Sequence, residues 1–372
     1  MDQKLRVLVV DDTVVYRKIV SSVLAEMPNV EVVGTAANGK IALEKIEQTR
    51  PDLLLLDLEM PELGGLDVLR RLKAEGSPVG AIILSALTSQ HSRITLDCLT
   101  LGAFDFILKP ANGTFEENLQ RVREELRPRV DAFARRRETR RLLAGSRPPA
   151  TPATVSASAA PLSPSVAPSP PRALPPKVEV VAIGISTGGP AALAEMLPRL
   201  PGDLDAAVLV VQHMPPVFTR SLAEDLDRRC RVRVSEAQDG DRVKKGHVLI
   251  APGGKQMKVC REGAGAVVRV TDDPPENSCR PSADYLFRSV AAAYGPRAVG
   301  VIMTGMGNDG AAGCREIKAR GGWIVAQDEA SCVVFGMPRQ PIQEGIADAV
   351  LPLSQIADEV TRVVERGRTP CK

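Results

Sequence analysis

The stretch "VAIGISTGGP", residues 181–190, joins a predicted buried strand to a predicted helix and decides the class of fold. Ahead of it, "KVEVVAIGI" alternates and then becomes continuously apolar, as a buried strand does. Behind it, "AALAEMLPRL" has helical spacing, so Ser186 lies in a strand-to-helix turn. Such a turn either projects a serine nucleophile or cradles a phosphate, and the remaining sequence has to decide between these two functions.

The bulk composition indicates an ordinary protein of two or three domains. The chain has 372 residues, of which 44% are hydrophobic and 25% charged. A net charge of +3 and an aromatic content of 3% argue against a nucleic-acid binder that stacks bases. Seven cysteines without a C-x-x-C pair favour reduced thiols over a disulfide framework or a zinc site. With neither a signal peptide nor an apolar run of about 20 residues, we expect a cytoplasmic protein without membrane insertion.

A Pro-, Ala- and Ser-rich stretch at 148–176 divides the chain, and we predict a semi-extended linker there. Residues 127–143 predict a separate helix with Pro128 in its first turn, whose arginines form a solvated face rather than contact an acidic partner. On both sides of the linker, short apolar strands alternate with helical segments, the pattern of parallel α/β sheets. The predicted units are a first globular domain at 1–126, a helical extension and linker at 127–177, and a second globular domain at 178–368.

In the first unit, the notable polar residues follow the predicted strands. Asp11 and Asp12 end one strand, Asp57 a second, Ser85 a third and Lys109 a fourth. In a parallel sheet these ends share one edge, where such folds bind ligands. Three carboxylates would repel one another without a cation, and oxygen ligands suit Mg²⁺. A hydroxyl and an ammonium group nearby are the partners that a phosphoryl group on Asp57 needs.

These strand ends resemble the receiver domain of response regulators over about residues 5–126. The resemblance implies a flavodoxin-like, five-stranded parallel sheet. It also implies that Asp57 accepts phosphate from a histidine kinase while Asp11, Asp12 and Asp57 hold Mg²⁺. The family's switch residues correspond to Ser85, Phe106 and Lys109.

In the second unit, a dinucleotide-binding function fails on two grounds. The G-x-G-x-x-G motif requires a glycine where Ser186 stands. It also requires an acidic residue about 20 positions later, at the end of the second strand, to bind the ribose. That strand, "AAVLVV", ends instead in Gln212 and His213.

A catalytic serine fits the same unit better. "GISTG" matches G-x-S-x-G, and a serine needs a general base. Of the three histidines, His213 ends a strand on the edge that carries Ser186, whereas His247 precedes a strand and His91 belongs to the first unit. Asp309 follows a further strand and offers the carboxylate that orients such a base, although an Asp there also suits a helix cap. We therefore predict a doubly wound Rossmann-like sheet with Ser186 as the nucleophile.

Several motifs in this unit resemble the catalytic domain of the CheB-type chemotaxis protein-glutamate methylesterases. They are "GISTGGP", "QHMPPVFTRSLAEDL", "IAPGGK", "NSCRPSADYLFRSVA", "GVIMTGMGNDGAAG" and "DEASCVVFGMPR". The resemblance implies a phosphorylation-activated hydrolase that converts γ-glutamyl methyl esters of chemoreceptors to glutamate and methanol. It also implies deamidation of receptor glutamines. Ser186, His213 and Asp309 correspond to the catalytic triad, and the backbone N–H groups of Thr187 and Met306 correspond to the oxyanion-stabilising positions.

The sequence departs from the family's pattern at two places, and two other functions remain as alternatives. Gln256 stands where many relatives carry histidine, and the linker is longer than expected. A receiver-linked DNA-binding regulator would need a helix-turn-helix or winged helix and a basic face, and the sequence shows neither. A non-catalytic Rossmann-like adaptor would need no nucleophile. We expect phosphorylation to require Mg²⁺ and ester hydrolysis to require no cofactor. We also expect the protein to act at the cytoplasmic side of receptor clusters and to bind no nucleic acid.

Overall fold

The computed structural model describes residues 4–145, 177–263 and 265–366. The linker predicted at 148–176 lies outside the described residues. No helix within these ranges is long and apolar enough to cross a membrane.

The first unit contains a five-stranded sheet in the order β2-β1-β3-β4-β5, with all pairs parallel. This confirms the predicted flavodoxin-like sheet, whose order is that of a doubly wound fold. Its central strand β3 is apolar on both faces because helices cover both sides of the sheet. The elements are β1 (Leu5–Val10), α1 (Val14–Ala25), β2 (Val30–Ala36), α2 (Gly39–Thr49), β3 (Leu53–Asp57), α3 (Gly65–Ala74), β4 (Gly80–Ser85), α4 (Ser89–Leu101), β5 (Asp105–Leu108) and α5 (Phe115–Gly145).

Helix α5 is one continuous helix, so the separate helix predicted to begin around Pro128 is wrong. Proline inside a helix loses a backbone hydrogen bond and costs about 3 kcal/mol. Val122, Leu126 and Val130 recur at helical spacing on both sides of the proline and are buried in the core of the first unit. Burial of this apolar stripe carries the helix through Pro128.

The second unit contains a seven-stranded parallel sheet in the order β14-β13-β12-β6-β7-β9-β8, which confirms the predicted doubly wound sheet. A separate antiparallel hairpin, β10–β11, packs beside it. The elements are β6 (Val180–Ile185), α6 (Gly189–Met196), β7 (Ala207–Gln212), α7 (Phe218–Arg229), β8 (Arg233–Glu236), β9 (His247–Ile250), β10 (Gln256–Glu262), β11 (Gly265–Thr271), α8 (Ala283–Tyr294), β12 (Ala298–Ile302), α9 (Ala311–Ala319), β13 (Trp323–Gln327), α10 (Arg339–Gln343), β14 (Ala349–Leu351) and α11 (Leu353–Glu365).

The order of this sheet reverses at β6, which pairs with β7 on one side and with β12 on the other. Chain connections therefore leave β6 and β12 in opposite directions, and a crevice opens at their carboxyl ends, where open α/β sheets bind ligands. His247 begins β9 at the amino end of the sheet, as predicted, and so lies away from this crevice.

The two units contact each other mostly where α4 and β5 of the first meet α6, α7 and the turn before α6 of the second. The rings of Phe106 and Phe218 stack with centroids 4.7 Å apart and an interplanar angle of 16°. Beside them, the Ser92 and Ser221 hydroxyl oxygens are 2.7 Å apart and share a buried hydrogen bond. The predicted switch aromatic therefore lies in the contact between the units.

Candidate active site

The three residues predicted as a triad follow three neighbouring strands. Ser186 follows β6, His213 follows β7, and Asp309 stands between β12 and α9. The distance from His213 Nε2 to Asp309 Oδ2 is 2.8 Å. Ser186 and His213 line one cavity of about 360 Å³. The sheet thus brings a hydroxyl, an imidazole and a carboxylate to one place.

Asp309 is 2% exposed and accepts hydrogen bonds on both carboxylate oxygens. Asn277 Nδ2 donates to Oδ1 at 2.9 Å, and Ser282 Oγ donates to it at 2.7 Å. The backbone N–H of Ala283, at the start of α8, donates to Oδ2 at 2.6 Å. Burial alone would raise the pKa of this carboxyl, but the bonds from His213, Asn277 and Ser282 lower that pKa to about 2. Asp309 is therefore ionised and fixed in position.

The His213 ring uses its two nitrogens differently. Because Asp309 is an ionised acceptor, Nε2 donates to it, and Nδ1 is left facing Cys279 Sγ at 3.7 Å. Burial would lower the pKa of His213, but the hydrogen bonds to Asp309 and Cys279 outweigh it and raise the pKa to about 9. In serine proteases the carboxylate binds Nδ1 instead, so the two nitrogens exchange places here.

Among the described residues, no hydrogen bond joins the Ser186 hydroxyl to His213. Ser186 is fixed by its backbone, whose N–H donates to the Thr304 carbonyl at 3.0 Å. Such bonds are commonly long or absent before substrate binds, so the geometry is that of a resting site.

The sequence alone predicts no function for the loop that ends in Cys279, although this loop begins the motif "NSCRPSADYLFRSVA". Asn277 and Ser278 have φ angles of 50° and 61°, which cost non-glycine residues about 1–3 kcal/mol each. The loop keeps this conformation because Asn277 Nδ2 binds Asp309 and also Asp284, at 2.9 Å. Asn277 lies in a loop whose sequence has no hydrophobic periodicity, so these contacts could not be predicted from the sequence.

Gln256, the departure from the family pattern, supports the same loop. Its side chain is fully buried. Oε1 accepts from the Ser282 backbone N–H at 2.9 Å, and Nε2 donates to the carbonyls of Pro274 at 3.0 Å and Cys279 at 3.3 Å. Gln256 therefore has a structural position behind the site and does not line the cavity.

The predicted oxyanion residues, Thr187 and Met306, lie on the two chain segments that meet at Ser186. Thr187 follows Ser186 directly, and Met306 follows Gly305. A Cβ atom on Gly305 would lie 2.8 Å from the Ser186 Cβ and 2.3 Å from Met337 Sδ, so only glycine permits this approach. The backbone after Gly305 is thereby held against the turn that carries Ser186.

The carboxylates predicted for the first unit also lie together. Oxygens of Asp11, Asp12 and Asp57 are all within 4.8 Å of one another, and this oxygen-only donor set fits Mg²⁺. Lys109 Nζ lies 2.6 Å from Asp11 Oδ2 and 2.8 Å from Asp57 Oδ2. Burial raises the pKa of Asp57 to about 6, and the attraction of Lys109 offsets only part of this effect.

The two other predicted switch residues are engaged elsewhere in this structure. Ser85 is fully buried, and its hydroxyl shares a hydrogen bond of 2.8 Å with Thr95 Oγ1 on α4. Phe106 packs on Phe218 of the second unit. Ser85 is therefore bound to α4, and Phe106 is bound to α7 of the second unit.

Comparisons with known proteins agree with this geometry. Residues 7–122 match the response regulator receiver domain, and residues 181–360 match the CheB methylesterase family. A protein-glutamate methylesterase/protein-glutamine glutaminase of Desulfotalea psychrophila is 48% identical, with 98% of this chain and 99% of the relative covered. The chain belongs to the CheB-type protein-glutamate methylesterases. A relative of the same name from Salmonella typhimurium is 42% identical, with 98% of each chain covered.

A solved structure supports the same assignment for the second unit. The CheB methylesterase catalytic domain of Thermotoga maritima is 41% identical, with a TM-score of 0.50, and covers 50% of this chain and 100% of its own. The protein is therefore a hydrolase that acts on glutamyl methyl esters and glutamine amides of proteins, with a receiver domain that places this activity under phosphorylation. Receiver domains in general are phosphorylated with Mg²⁺.

Proposed function

We propose that Ser186, His213 and Asp309 form the catalytic triad of this methylesterase. The observation that carries the proposal is the part-buried His213–Asp309 pair, whose other ring nitrogen, Nδ1, faces Cys279 in the cavity that Ser186 also lines. A serine hydroxyl is a weak nucleophile until a base takes its proton, and His213 Nδ1 is the proposed base in those molecules whose imidazole is neutral. Because the pKa of His213 is raised to about 9, the neutral fraction, and with it the rate of hydrolysis, increases as the pH rises toward 9. The units at 1–126 and 178–368 are proposed as the receiver and catalytic domains, joined by the extension and linker at 127–177.

In the first step, Ser186 Oγ attacks the carbonyl carbon of the γ-glutamyl ester while its proton moves to His213 Nδ1. The imidazolium that forms is stabilised by Asp309, whose hydrogen-bonded carboxylate stays ionised. His213 then gives the proton to the methoxy oxygen, and methanol leaves. The glutamyl group remains bound to Ser186 as an ester.

In the second step, water gives a proton to His213 Nδ1 and attacks the acyl ester, which releases glutamate and restores Ser186. The negative oxygen of both tetrahedral intermediates is proposed to accept from the backbone N–H groups of Thr187 and Met306. A glutamine amide would follow the same route with ammonia as the leaving group. Nucleophile, base and oxyanion donors all come from the chain, so we propose hydrolysis without a cofactor.

The proposed substrates are methylated chemoreceptors, met at the cytoplasmic side of receptor clusters, with a chemotaxis histidine kinase as the phosphate donor. Asp57 is the proposed phosphoacceptor, and Asp11, Asp12 and Asp57 would hold Mg²⁺, which neutralises the charge that gathers during phosphoryl transfer. Lys109 would pair with the phosphoryl group, since its ammonium already reaches Asp57.

The receiver is proposed to restrain hydrolysis in the unphosphorylated chain. Residues of β5 and α5, including Asp105, Phe106 and Arg129, line the cavity together with Ser186 and His213. Thr187 Oγ1, beside the nucleophile, donates to Asp105 Oδ2 at 2.8 Å. A receptor segment that reaches Ser186 would have to displace this wall, and phosphoryl-Asp57 would weaken it by drawing Ser85 and Phe106 away.

Methanol release from a methylated receptor preparation tests the proposal. A small-molecule phosphate donor with Mg²⁺ should stimulate release by the full chain, because phosphoryl-Asp57 opens the cavity. A chelator added with the donor should abolish the stimulation and leave basal release unchanged. Asp57→Asn should likewise remove the response and keep basal release, since Asp57 lies outside the hydrolytic cavity.

A chelator that stops basal release would contradict cofactor-free hydrolysis. A donor response that survives Asp57→Asn would contradict the proposed phosphoacceptor. As a matched control, Asp67→Asn removes an exposed carboxylate that pairs with Arg70 on the same helix, α3, and it should respond to the donor like the unmodified chain.

A second prediction concerns the ion pair between Arg93 on α4 and Glu224 on α7, whose nitrogen and oxygen lie 3.0 Å apart. Arg93→Glu places like charges across the contact, so basal methanol release should rise about two- to fivefold, as expected for an exposed pair. The double variant Arg93→Glu/Glu224→Arg restores opposite charges and should return basal release to its original level. Equal release by all three proteins would show that this contact does not restrain hydrolysis.

A further inference from the structure

A thiol and an imidazole face each other inside the catalytic cavity. Cys279 Sγ lies 3.7 Å from His213 Nδ1, and both residues line the cavity. A tetrahedral metal ion with bonds of about 2.3 Å to sulfur and 2.0 Å to nitrogen would hold these atoms about 3.5 Å apart. The observed separation therefore suits two ligands of one metal ion.

The orientation of both groups also suits coordination. His213 Nε2 is held by Asp309, as the second ring nitrogen of a metal-bound histidine is commonly held by a carboxylate. The Cys279 thiol donates to the Asn277 carbonyl at 3.4 Å, which leaves the lone pairs of the sulfur available to a metal ion. Gln256 and Asn277 fix the loop, so little rearrangement is required.

Asp309 is excluded as a third ligand although its oxygens are close. Both oxygens already accept from backbone or side-chain donors, and metal binding would leave those buried donors unpaired. The remaining coordination positions thus open into the cavity and would be filled by water.

We propose that Cys279 and His213 form a site for a soft divalent metal ion, Zn²⁺ or Cd²⁺, that inhibits hydrolysis. On binding, the thiol releases its proton to solvent, the metal bonds to the thiolate sulfur and to the Nδ1 lone pair, and any proton on Nδ1 is also released. No oxidation or reduction takes place. With Nδ1 occupied by metal, it cannot accept the Ser186 proton.

Metal binding rests on the Cys279–His213 geometry alone, whereas inhibition rests on the proposed function, in which Nδ1 is the general base. The two are therefore measured separately. Cd²⁺ titration of the full chain, followed by the ultraviolet absorption of the cadmium–thiolate bond, reports binding. Methanol release with and without Zn²⁺ reports inhibition, and each protein is compared with its own metal-free rate.

The unmodified chain should show a cadmium–thiolate band, and Cys279→Ala should lose it. The Zn²⁺ concentration that inhibits Cys279→Ala should be at least about tenfold higher than for the unmodified chain. Cys279→Ser keeps the size and polarity of the side chain but is a poorer ligand, so it should behave the same way if Cys279→Ala does not fold. Cys260→Ala, which removes a half-buried thiol on β10 away from the cavity, should keep both effects.

An identical cadmium band in the unmodified chain and both Cys279 variants would overturn the site, as would the absence of any band. If the cadmium band depends on Cys279 but Zn²⁺ leaves methanol release unchanged, the metal site is retained and its inhibitory action is overturned. That result would also count against Nδ1 as the general base. Loss of both effects in the Cys279 variants alone supports the proposal in full.

Discussion

Ser186→Ala should lower the turnover of glutamyl methyl ester hydrolysis by about 10⁴- to 10⁶-fold, the loss measured for triad members in serine proteases. The substitution removes one hydroxyl from a turn whose backbone is held independently, since the Ser186 N–H donates to the Thr304 carbonyl. The fold and the His213–Asp309 pair should therefore persist. Methanol release measures the turnover, and circular dichroism measures the fold.

Ser354→Ala is the matched control for this variant. Ser354 is exposed at the start of α11, and its contact with Arg199 uses the backbone carbonyl, which alanine keeps. This control should hydrolyse the ester at the original rate. If Ser186→Ala kept a tenth of the original turnover, the nucleophile would have to be another group, and Cys279 would be the next thiol or hydroxyl to replace.

Asp309→Asn should lower turnover by about 10⁴-fold, because a neutral amide cannot stabilise the imidazolium as the carboxylate does. The NH₂ group of the asparagine would also point at hydrogen-bond donors, which it cannot accept from. His213 Nε2 and the Ala283 N–H both donate to Oδ2, while Asn277 and Ser282 donate to Oδ1. Whichever way the amide turns, buried donors lose an acceptor. The free energy of unfolding should therefore also fall, by about 1–3 kcal/mol. Denaturant unfolding and methanol release measure the two effects.

Asp358→Asn gives the control, because Asp358 is an exposed carboxylate on α11 whose partner is Arg199. Both its turnover and its free energy of unfolding should stay close to the original values. An Asp309→Asn protein of undiminished turnover would show that His213 needs no carboxylate, and the triad would reduce to a pair.

The two sheets and the positions of the three proposed triad residues were predictable because parallel strands carry strong local signals. Buried strands are continuously apolar, and their carboxyl ends meet at one edge, so Ser186, His213 and Asp309 were expected to lie together. Which His213 nitrogen binds Asp309 was not predictable. The other ring nitrogen faces Cys279 in the loop before α8, where Asn277 and Ser278 adopt positive φ angles and the sequence has no periodicity.

Other features were hidden for different physical reasons. Pro128 signals a helix start, yet burial of an apolar stripe continues α5 through it. Local sequence patterns predict helices and strands but not which surfaces of two folded units will pack together. In the sequence, Phe218 looks like an ordinary first residue of a helix. Only the folded chain places its ring on Phe106.

The stacked rings of Phe106 and Phe218 give the two units a reciprocal influence on each other. Coupling free energy is symmetric between two sites. If phosphorylation lowers the equilibrium constant for docking of the two units by some factor, docking must lower the equilibrium constant for phosphorylation by the same factor. If phosphoryl-Asp57 weakens the contact as proposed, the catalytic unit acts as an allosteric ligand of the receiver. At equilibrium with a phosphate donor, we then expect the joined chain to carry less phosphate than a receiver freed from its partner, and a substrate that separates the rings to favour phosphorylation of the enzyme that acts on it.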